Sequence, residues 1–249
     1  MTESPLAQGW TDTDTDAFAR YGDALVPRRK EQIATICDLL GDLPVPYVLD
    51  LCCGEGRLSQ EYLRRSPEAR VMLMDGSAEM LRRAGQRLSE FGGRHAQVQA
   101  EIAGRGWRTG ESYGESYGGV MTSLAVHHLD GPGKQDLYRD IHGMLVPGGA
   151  FVMADLVEPA GPAARRLAGD QWDRAVQQAS RDLFGDDQAV TAFRESDWNY
   201  YRLPGPDPFD LPSAAAEHLD WLRAAGFTEV DVAWMYAGHA IFMARRPAA

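Results

Sequence analysis

Three short stretches of the chain hold most of its chemical capacity. Asp50-Leu51-Cys52-Cys53-Gly54-Glu55-Gly56 closes an apolar run and opens a helical one. Gly54 and Gly56 permit positive φ and let a ligand approach the backbone closely. Asp75-Gly76-Ser77 closes a second apolar run. A carboxylate there offers two acceptor oxygens, the match for a vicinal diol. His127-His128 ends a later apolar run, and imidazole suits proton transfer near neutral pH. Other chemistries find less support. Cys37, Cys52 and Cys53 are odd in number and two are adjacent, which is no disulfide framework and no zinc spacing. The six histidines include no metalloprotease-like helix pair, and a tandem of histidines alone is a poor metal site. The sequence therefore predicts no metal.

The elements that hold these stretches alternate. Strands are expected at 45–51, 71–74, 95–99, 119–124 and 150–156, with helices at 57–65, 78–90 and 134–145 between them. The strands are apolar without alternation, which implies a parallel sheet covered on both faces. Ser77 reads as the cap of its helix. Before the first strand come a polar tail over 1–16, a short helix at 17–25 and a second helix begun by Pro27. After 156 the pattern breaks into two helices, about 163–182 and 187–196, and a proline-rich stretch. A helix at 214–225 and two strands, 228–235 and 240–244, joined at Ala237-Gly238, finish the chain. The tandem Gly110-Glu111-Ser112-Tyr113 and Gly114-Glu115-Ser116-Tyr117 reads as a loop lengthened by duplication.

The chain has 249 residues and a net charge of −11. All but Lys30 and Lys134 of its 25 basic residues are arginine, as a GC-rich coding bias would produce. An acidic surface repels phosphate backbones, so no nucleic-acid partner is expected. No apolar run is long enough to span a bilayer, and the N-terminus lacks the order of a secretory signal. A cytoplasmic protein acting on a small molecule, with no membrane partner, is the expectation. Oligomeric state is not encoded legibly.

With these motifs in order, the chain resembles the class I S-adenosylmethionine-dependent methyltransferases. The resemblance rests on Asp50 to Gly56, on Asp75-Gly76-Ser77 with Glu79-Met80-Leu81, and on Leu124 to Leu129. It also includes Leu145-Val146-Pro147-Gly148-Gly149 and Ala225-Gly226-Phe227. It runs from about residue 45 to 246 and is weakest over 157–212. It implies a doubly wound, Rossmann-like α/β sheet of order 3-2-1-4-5-7-6 with strand 7 antiparallel. One methyltransferase domain would span 1–249, with a tail and cap helices at 1–41 and a helical lid at 157–212. The implied cofactor is S-adenosyl-L-methionine. Gly54 and Gly56 would leave room for its methionine part, and Asp50 would orient the turn or reach the amino group through water. Asp75, with Gly76, would take the ribose, Glu101 and Ile102 the adenine, and Ser123 and Leu124 would offer carbonyls to the ammonium. Cys52 stands where the family usually has glycine, so it is expected as a small packing residue at the cofactor.

Methyl transfer at a sulfonium is an in-line displacement that needs alignment and exclusion of water. A base is needed only for a protonated acceptor, and His128, then His127, are the candidates. Asp155 at the end of the fifth strand faces the same crevice. Tyr21, Arg28 and Arg29 from the N-terminal helices, and Trp198, Tyr200, Tyr201 and Arg202 from the insertion, are the expected acceptor contacts. An arginine of the pair Arg28/Arg29 could pair with a carboxylate. The chain is also similar to carboxy-S-adenosylmethionine synthases, which share the insertion, but Trp221 falls where those enzymes carry an arginine. A cofactor-binding protein without turnover is the non-enzyme alternative. Base-modifying enzymes of the fold carry an Asn/Asp-Pro-Pro-aromatic element where this chain has Ser123-Leu124-Ala125-Val126.

Overall fold

A computed structural model describes residues 12–104, 106–107 and 116–249. Most of the duplicated Gly-Glu-Ser-Tyr stretch lies outside the described residues, as do the first eleven. The elements are α1 (Asp12–Leu25), α2 (Arg29–Leu39), β1 (Tyr47–Leu51), α3 (Arg57–Arg65), β2 (Arg70–Asp75), α4 (Ala78–Arg87), β3 (His95–Gln99) and β4 (Tyr117–Ser123). They continue with α5 (Gly131–Met144), β5 (Leu145–Leu156), α6 (Pro162–Phe184), α7 (Gln188–Glu195), α8 (Ala215–Ala224), β6 (Thr228–Tyr236) and β7 (His239–Arg245).

The seven strands lie in the order β3-β2-β1-β4-β5-β7-β6. β1 pairs in parallel with β2 and β4, and β4 with β5. β7 runs antiparallel to both β5 and β6. The expected sheet is therefore the observed one. Its centre is apolar on both faces because Val48, Leu51, Val71, Leu73, Val120 and Val152 are all buried. One core lies between the sheet and α5 and α8, through Leu137, Tyr138, Ile141 and Leu222. The other lies under α2, α3 and α4, through Ile36, Leu40, Leu63 and Ala84. Truncating a residue such as Leu73 to alanine would cost about 2–5 kcal/mol through lost transfer energy and the void left behind.

Several boundaries differ from expectation, each for a local reason. α1 begins in the Thr-Asp run, five residues before expected. α5 starts at Gly131 because Asp130 caps it, its Oδ1 accepting from Gly133 N at 2.8 Å. β5 begins at Leu145, paired to Tyr117, and Gly148 at φ 79 lets the strand pass through the predicted turn. α4 stops at Arg87 and gives way to tighter turns up to Arg94, where Gly92 takes φ 61. The β6–β7 turn has φ 52 at Ala237 and φ 75 at Gly238, the pair of positive values a two-residue hairpin prefers.

The division into an N-terminal cap and a separate insertion takes another form here. α2 packs into the sheet layer, whereas α1 joins α6 and α7 in a third core. That core contains Tyr21, Leu25, Trp172, Val176, Val190, Phe193 and Tyr201, with Leu124 and Leu156 from the ends of β4 and β5. First helix and insertion thus form one body over the carboxyl ends of the central strands. No helix of the described residues is long and apolar enough to cross a membrane.

Candidate active site

The strand order reverses at β1, where the chain moves outward to β2 and β3 and then returns to β4. Open α/β sheets bind ligands outside the carboxyl ends of the strands at that point. Two strained residues mark it. Cys52 (φ 56) and Leu124 (φ 58) follow the adjacent strands β1 and β4 in left-handed conformations that bulky L-residues seldom adopt. Such strain persists where the surroundings impose it, commonly at ligand sites.

The turn after β1 is fixed from both sides. Cys53 N donates to Met74 O at 2.9 Å, and Gly54 N to Asp75 Oδ2 at 2.9 Å. Gly54 has φ 51, and a Cβ built on it would meet nothing within 4 Å. The space beside it is open, as a cradle requires. Gly56 answers a different need. At φ 76 it precedes α3, and a Cβ there would lie 3.1 Å from that of Ala84. Its missing side chain makes room for α4.

Asp75 is held by Gly54 N on Oδ2 and by Ser77 N on Oδ1, both at 2.9 Å. Each oxygen keeps a lone pair for one hydroxyl of a diol. Burial raises its pKa, and these two backbone donors oppose the rise. Glu101 folds its carboxylate against Gly76, so that a Cβ on Gly76 would lie 2.6 Å from Oε1. Ile102 is buried in the core beneath. Asp50 is buried at the end of β1, accepting from Ser59 Oγ at 2.5 Å. Burial pushes its pKa up to about 7, against the pull of the Ser59 hydrogen bond and with some help from Asp75. Cys52 is no thiolate, because burial and the surrounding carboxylates push its thiol well up.

Of the two expected arginines, the structure separates the roles. Arg28 is half exposed, stacks over Tyr236 at 4.1 Å and lies 3.5 Å from Glu31. Arg29 is turned inward over the Phe18 ring at 5.1 Å. Its nearest acid is Asp23, at 3.7 Å, and Asp23 is held at 2.5 Å by Arg57. The Nε and Nη1 of Arg29 are buried without a hydrogen-bond partner. Burial, followed by the repulsion of Arg57, lowers its pKa to about 10. A buried guanidinium with orphan donors is a prepared seat for a carboxylate.

The turn after β4 carries the second chemical group. A 3-10 turn over Val126–His128 brings the two imidazoles together, with ring centroids 4.1 Å apart. His127 is 6% exposed, and its Nδ1 makes a short contact with Asp155 Oδ1 on β5. His127 N also donates to Asp155 Oδ2 at 3.0 Å. On the other side, His127 Nε2 lies 3.5 Å and His128 Nδ1 3.2 Å from Asp210 Oδ1. Burial opposes a charge on His127, yet Asp155 and Asp210 raise its pKa to about 10. It is thus poorly suited to accept a proton from a substrate. His128 is 28% exposed, the more open of the two.

Asp210 had no sequence signal, standing in the proline-rich stretch far from the histidines. The structure brings it back on a strap over 203–213. Leu211 N donates to His127 O at 2.8 Å, and the buried Lys134 donates to Leu211 O and to Ser213 Oγ. Asp207 Oδ1 accepts from the amides of Phe209 and Asp210 at 2.7 and 2.9 Å. Lys134 and Asp210 are the residues that sequence reasoning missed. The Asp207-Pro208 turn was the available clue.

Most of the expected acceptor contacts in the insertion have other partners. Tyr21 OH donates to Gln188 at 3.1 Å between α1 and α7. Tyr200 OH donates to Glu158 at 2.9 Å. Tyr201 is buried and its OH faces the carbonyls of Val157 and Gly238. Arg202 is held by Asp170 and Asp173 on α6. These four side chains lock the cap together. Trp198 meets Phe18 edge-on at 6.1 Å, in the cluster that also includes Leu124.

With that geometry in place, comparison with known proteins is informative. Residues 48–149 match the family described as "Methyltransferase domain". Over 232 residues the chain is 26% identical to trans-aconitate 2-methyltransferase of Yersinia pestis (strain Pestoides F), covering 86% of this chain and 80% of that one. Among solved structures, an O-methyltransferase family protein from Burkholderia thailandensis superposes with a TM-score of 0.69 at 17% identity. That match covers 100% of this chain and 66% of the other, so the chain spans just under two thirds of that protein. Magnesium protoporphyrin IX methyltransferase from Synechocystis PCC 6803, with bound SAH, gives 0.59 at 17% identity, covering 97% and 98%.

Proposed function

The chain is a class I S-adenosylmethionine-dependent methyltransferase, by its sheet and by the match of residues 48–149, and from that premise we propose that it methylates a small-molecule acceptor at the turn after β4. The observation that carries the cofactor end is Asp75. Both of its oxygens are aimed by backbone amides, beside the open side of Gly54. On this reading Asp75 takes the ribose hydroxyls and Glu101 flanks the nucleoside. Asp50 lies toward the methionine ammonium and Arg29 pairs with the methionine carboxylate. The sulfonium methyl then points toward the strand ends of β4 and β5, where His127, His128, Asp155 and Asp210 gather. The cap of α1, α6 and α7 excludes water from that crevice, which an in-line displacement requires. His128, with its more open ring, is the side chain the acceptor meets.

The acceptor is the finer part of the proposal. The relative from Yersinia pestis is named for trans-aconitate, which makes polycarboxylates the first acceptors to try. Purified protein should be incubated with methyl-labelled cofactor and such acids, then with a metabolite extract. A labelled product, absent when Asp75 is replaced by alanine, supports the reading. Tight cofactor binding with no product in any extract would favour a cofactor-binding protein without turnover. The carboxy-S-adenosylmethionine alternative is not favoured by the geometry, since the Trp221 ring stands in the expected place of its arginine, 3.6 Å from where a Cβ on Gly131 would lie.

A further inference from the structure

The cluster after β4 contains more than an acid–base pair. His127 and His128 offer one nitrogen each and Asp210 one oxygen, and these three atoms lie within 4.8 Å of one another. We propose that His127, His128 and Asp210 bind one divalent first-row transition-metal ion of the zinc type, with Asp155 orienting His127 from behind.

The nitrogen–oxygen spacings favour a metal site over an ion-paired cluster. Charge-assisted hydrogen bonds between nitrogen and carboxylate run about 2.7–2.9 Å. The two imidazole nitrogens stand 3.5 and 3.2 Å from Asp210 Oδ1, longer than such bonds. Donors bound at about 2.0–2.2 Å around one ion, at angles near 90–110°, stand roughly 3.0–3.4 Å apart. These two nitrogen–oxygen separations fall close to that range. The far nitrogen of His127 behaves differently, making a short contact with Asp155. A ligating histidine characteristically donates its other N–H to a carboxylate, which fixes the tautomer and the ring plane. His128 Nδ1 also lies 3.3 Å from Phe209 O, a long contact that coordination through Nδ1 would release.

The set is also built to stay in place. Asp210 is fixed by the Asp207 turn, by Leu211 N on the His127 carbonyl and by Lys134 on the Leu211 carbonyl. Lys134 is fully buried, an unusual position for a lysine unless it is paired. Two imidazoles and one carboxylate select zinc, cobalt or iron over magnesium or calcium, which prefer oxygen ligands alone. His128 and Asp210 are 28% and 30% exposed. Three protein ligands with one open side leave positions for an oxygen of a bound small molecule, as in catalytic more than structural sites. If the proposed function holds, that molecule is the acceptor, and an anionic acceptor would meet a divalent cation there.

The test uses untagged, chelator-treated protein titrated with Zn²⁺ by calorimetry and with Co²⁺ by visible absorption. One equivalent should bind, and Co²⁺ should give a ligand-field band of low coordination number. H128A and D210A should each weaken binding roughly 100-fold or more, and Asp155→Asn roughly 10- to 100-fold. Circular dichroism and S-adenosylhomocysteine affinity serve as controls for folding. No saturable binding to the wild type, or equal binding by H128A and D210A, would overturn the site. Should a variant fail to fold, anomalous diffraction from Co²⁺-soaked wild-type crystals decides. A peak between the three donor atoms supports the site, and peaks only elsewhere overturn it. Because these readouts need neither cofactor nor acceptor, they separate from the methyl-transfer reading. Metal binding without S-adenosylhomocysteine binding would defeat that reading and leave the metal site standing.

Discussion

The turn after β1 and the turn after β4 sit side by side at the same end of the sheet, yet they are built on different principles. The first is made of backbone. Its geometry comes from Gly54, from the strained Cys52 and from two amides aimed at Asp75, all within one βαβ unit. The second is made of side chains. His127 and His128 are completed by Asp155 from β5 and Asp210 from the strap, and the strap is tied down by Lys134. The contrast predicts which lesions affect the cofactor and which affect the acceptor.

The largest expected effect is at Asp75. A hydrogen bond to a charged group is worth about 1.5–3 kcal/mol, and two hydroxyls lose their acceptor in Asp75→Ala. S-adenosylhomocysteine affinity should fall at least roughly 100-fold by calorimetry, while Co²⁺ uptake at the β4 turn is unchanged. Unaltered affinity would remove Asp75 from the cradle. Next is Arg29→Met, which should cost roughly 10- to 100-fold by the same arithmetic for one charged contact. The loss should appear with S-adenosylhomocysteine and not with methylthioadenosine, which lacks the carboxylate. Equal losses for both ligands would place Arg29 in the fold alone.

A smaller effect follows from Asp50. Its folded pKa is raised to about 7 by burial, while an unfolded aspartate titrates near 4. Between these values the folded chain holds a proton that the unfolded chain lacks. Its contribution to stability therefore falls as pH rises through that window and is flat above about 7. A cationic ammonium beside Asp50 favours the ionised form. Cofactor binding should then release protons below about pH 7 and weaken on acidification, by at most about tenfold per unit. Calorimetry at pH 6 in two buffers of different ionisation enthalpy reads this directly, and proton uptake would contradict it. The smallest effect is Lys134→Met. Loss of the anchor should speed hydrogen exchange at the Leu211 amide by roughly 5- to 100-fold, from a hydrogen bond of about 1–3 kcal/mol. S-adenosylhomocysteine affinity should not move, and unchanged exchange would show that the strap does not depend on Lys134.

The same contrast explains what could be read in advance. The strand–helix alternation, Ser77 as a cap, and the Asp50–Gly56 and Asp75 motifs are written in contiguous residues, because strand, turn and helix start are local events, and the sheet order came with the family resemblance that those motifs carry. That the empty side of Gly56 also faces α4 was not legible, because a glycine in sequence does not say what packs against it. Asp210 was invisible for a stronger reason. Its meeting with His127 depends on a strap that crosses from the insertion and is held by Lys134 from another helix. Tyr200, Tyr201 and Arg202 were drawn to the acceptor by the aromatic density of the insertion, and Tyr21 by its place in the N-terminal helices. In the structure each has a partner of its own, Tyr21 in Gln188, Tyr200 in Glu158, Tyr201 in the carbonyls of Val157 and Gly238, and Arg202 in Asp170 and Asp173. α1 was grouped with α2 by proximity in the chain, whereas its apolar residues matched the face of α6.

Crystals grown with S-adenosylhomocysteine would show directly where the cofactor lies. The ligand should lie across the turn after β1, with both ribose hydroxyls on the Asp75 carboxylate and the amino-acid end reaching Arg29. The sulfur should face the turn after β4. Density for the ligand at another surface, or a nucleoside turned so that Asp75 meets no hydroxyl, would overturn the cofactor site at β1.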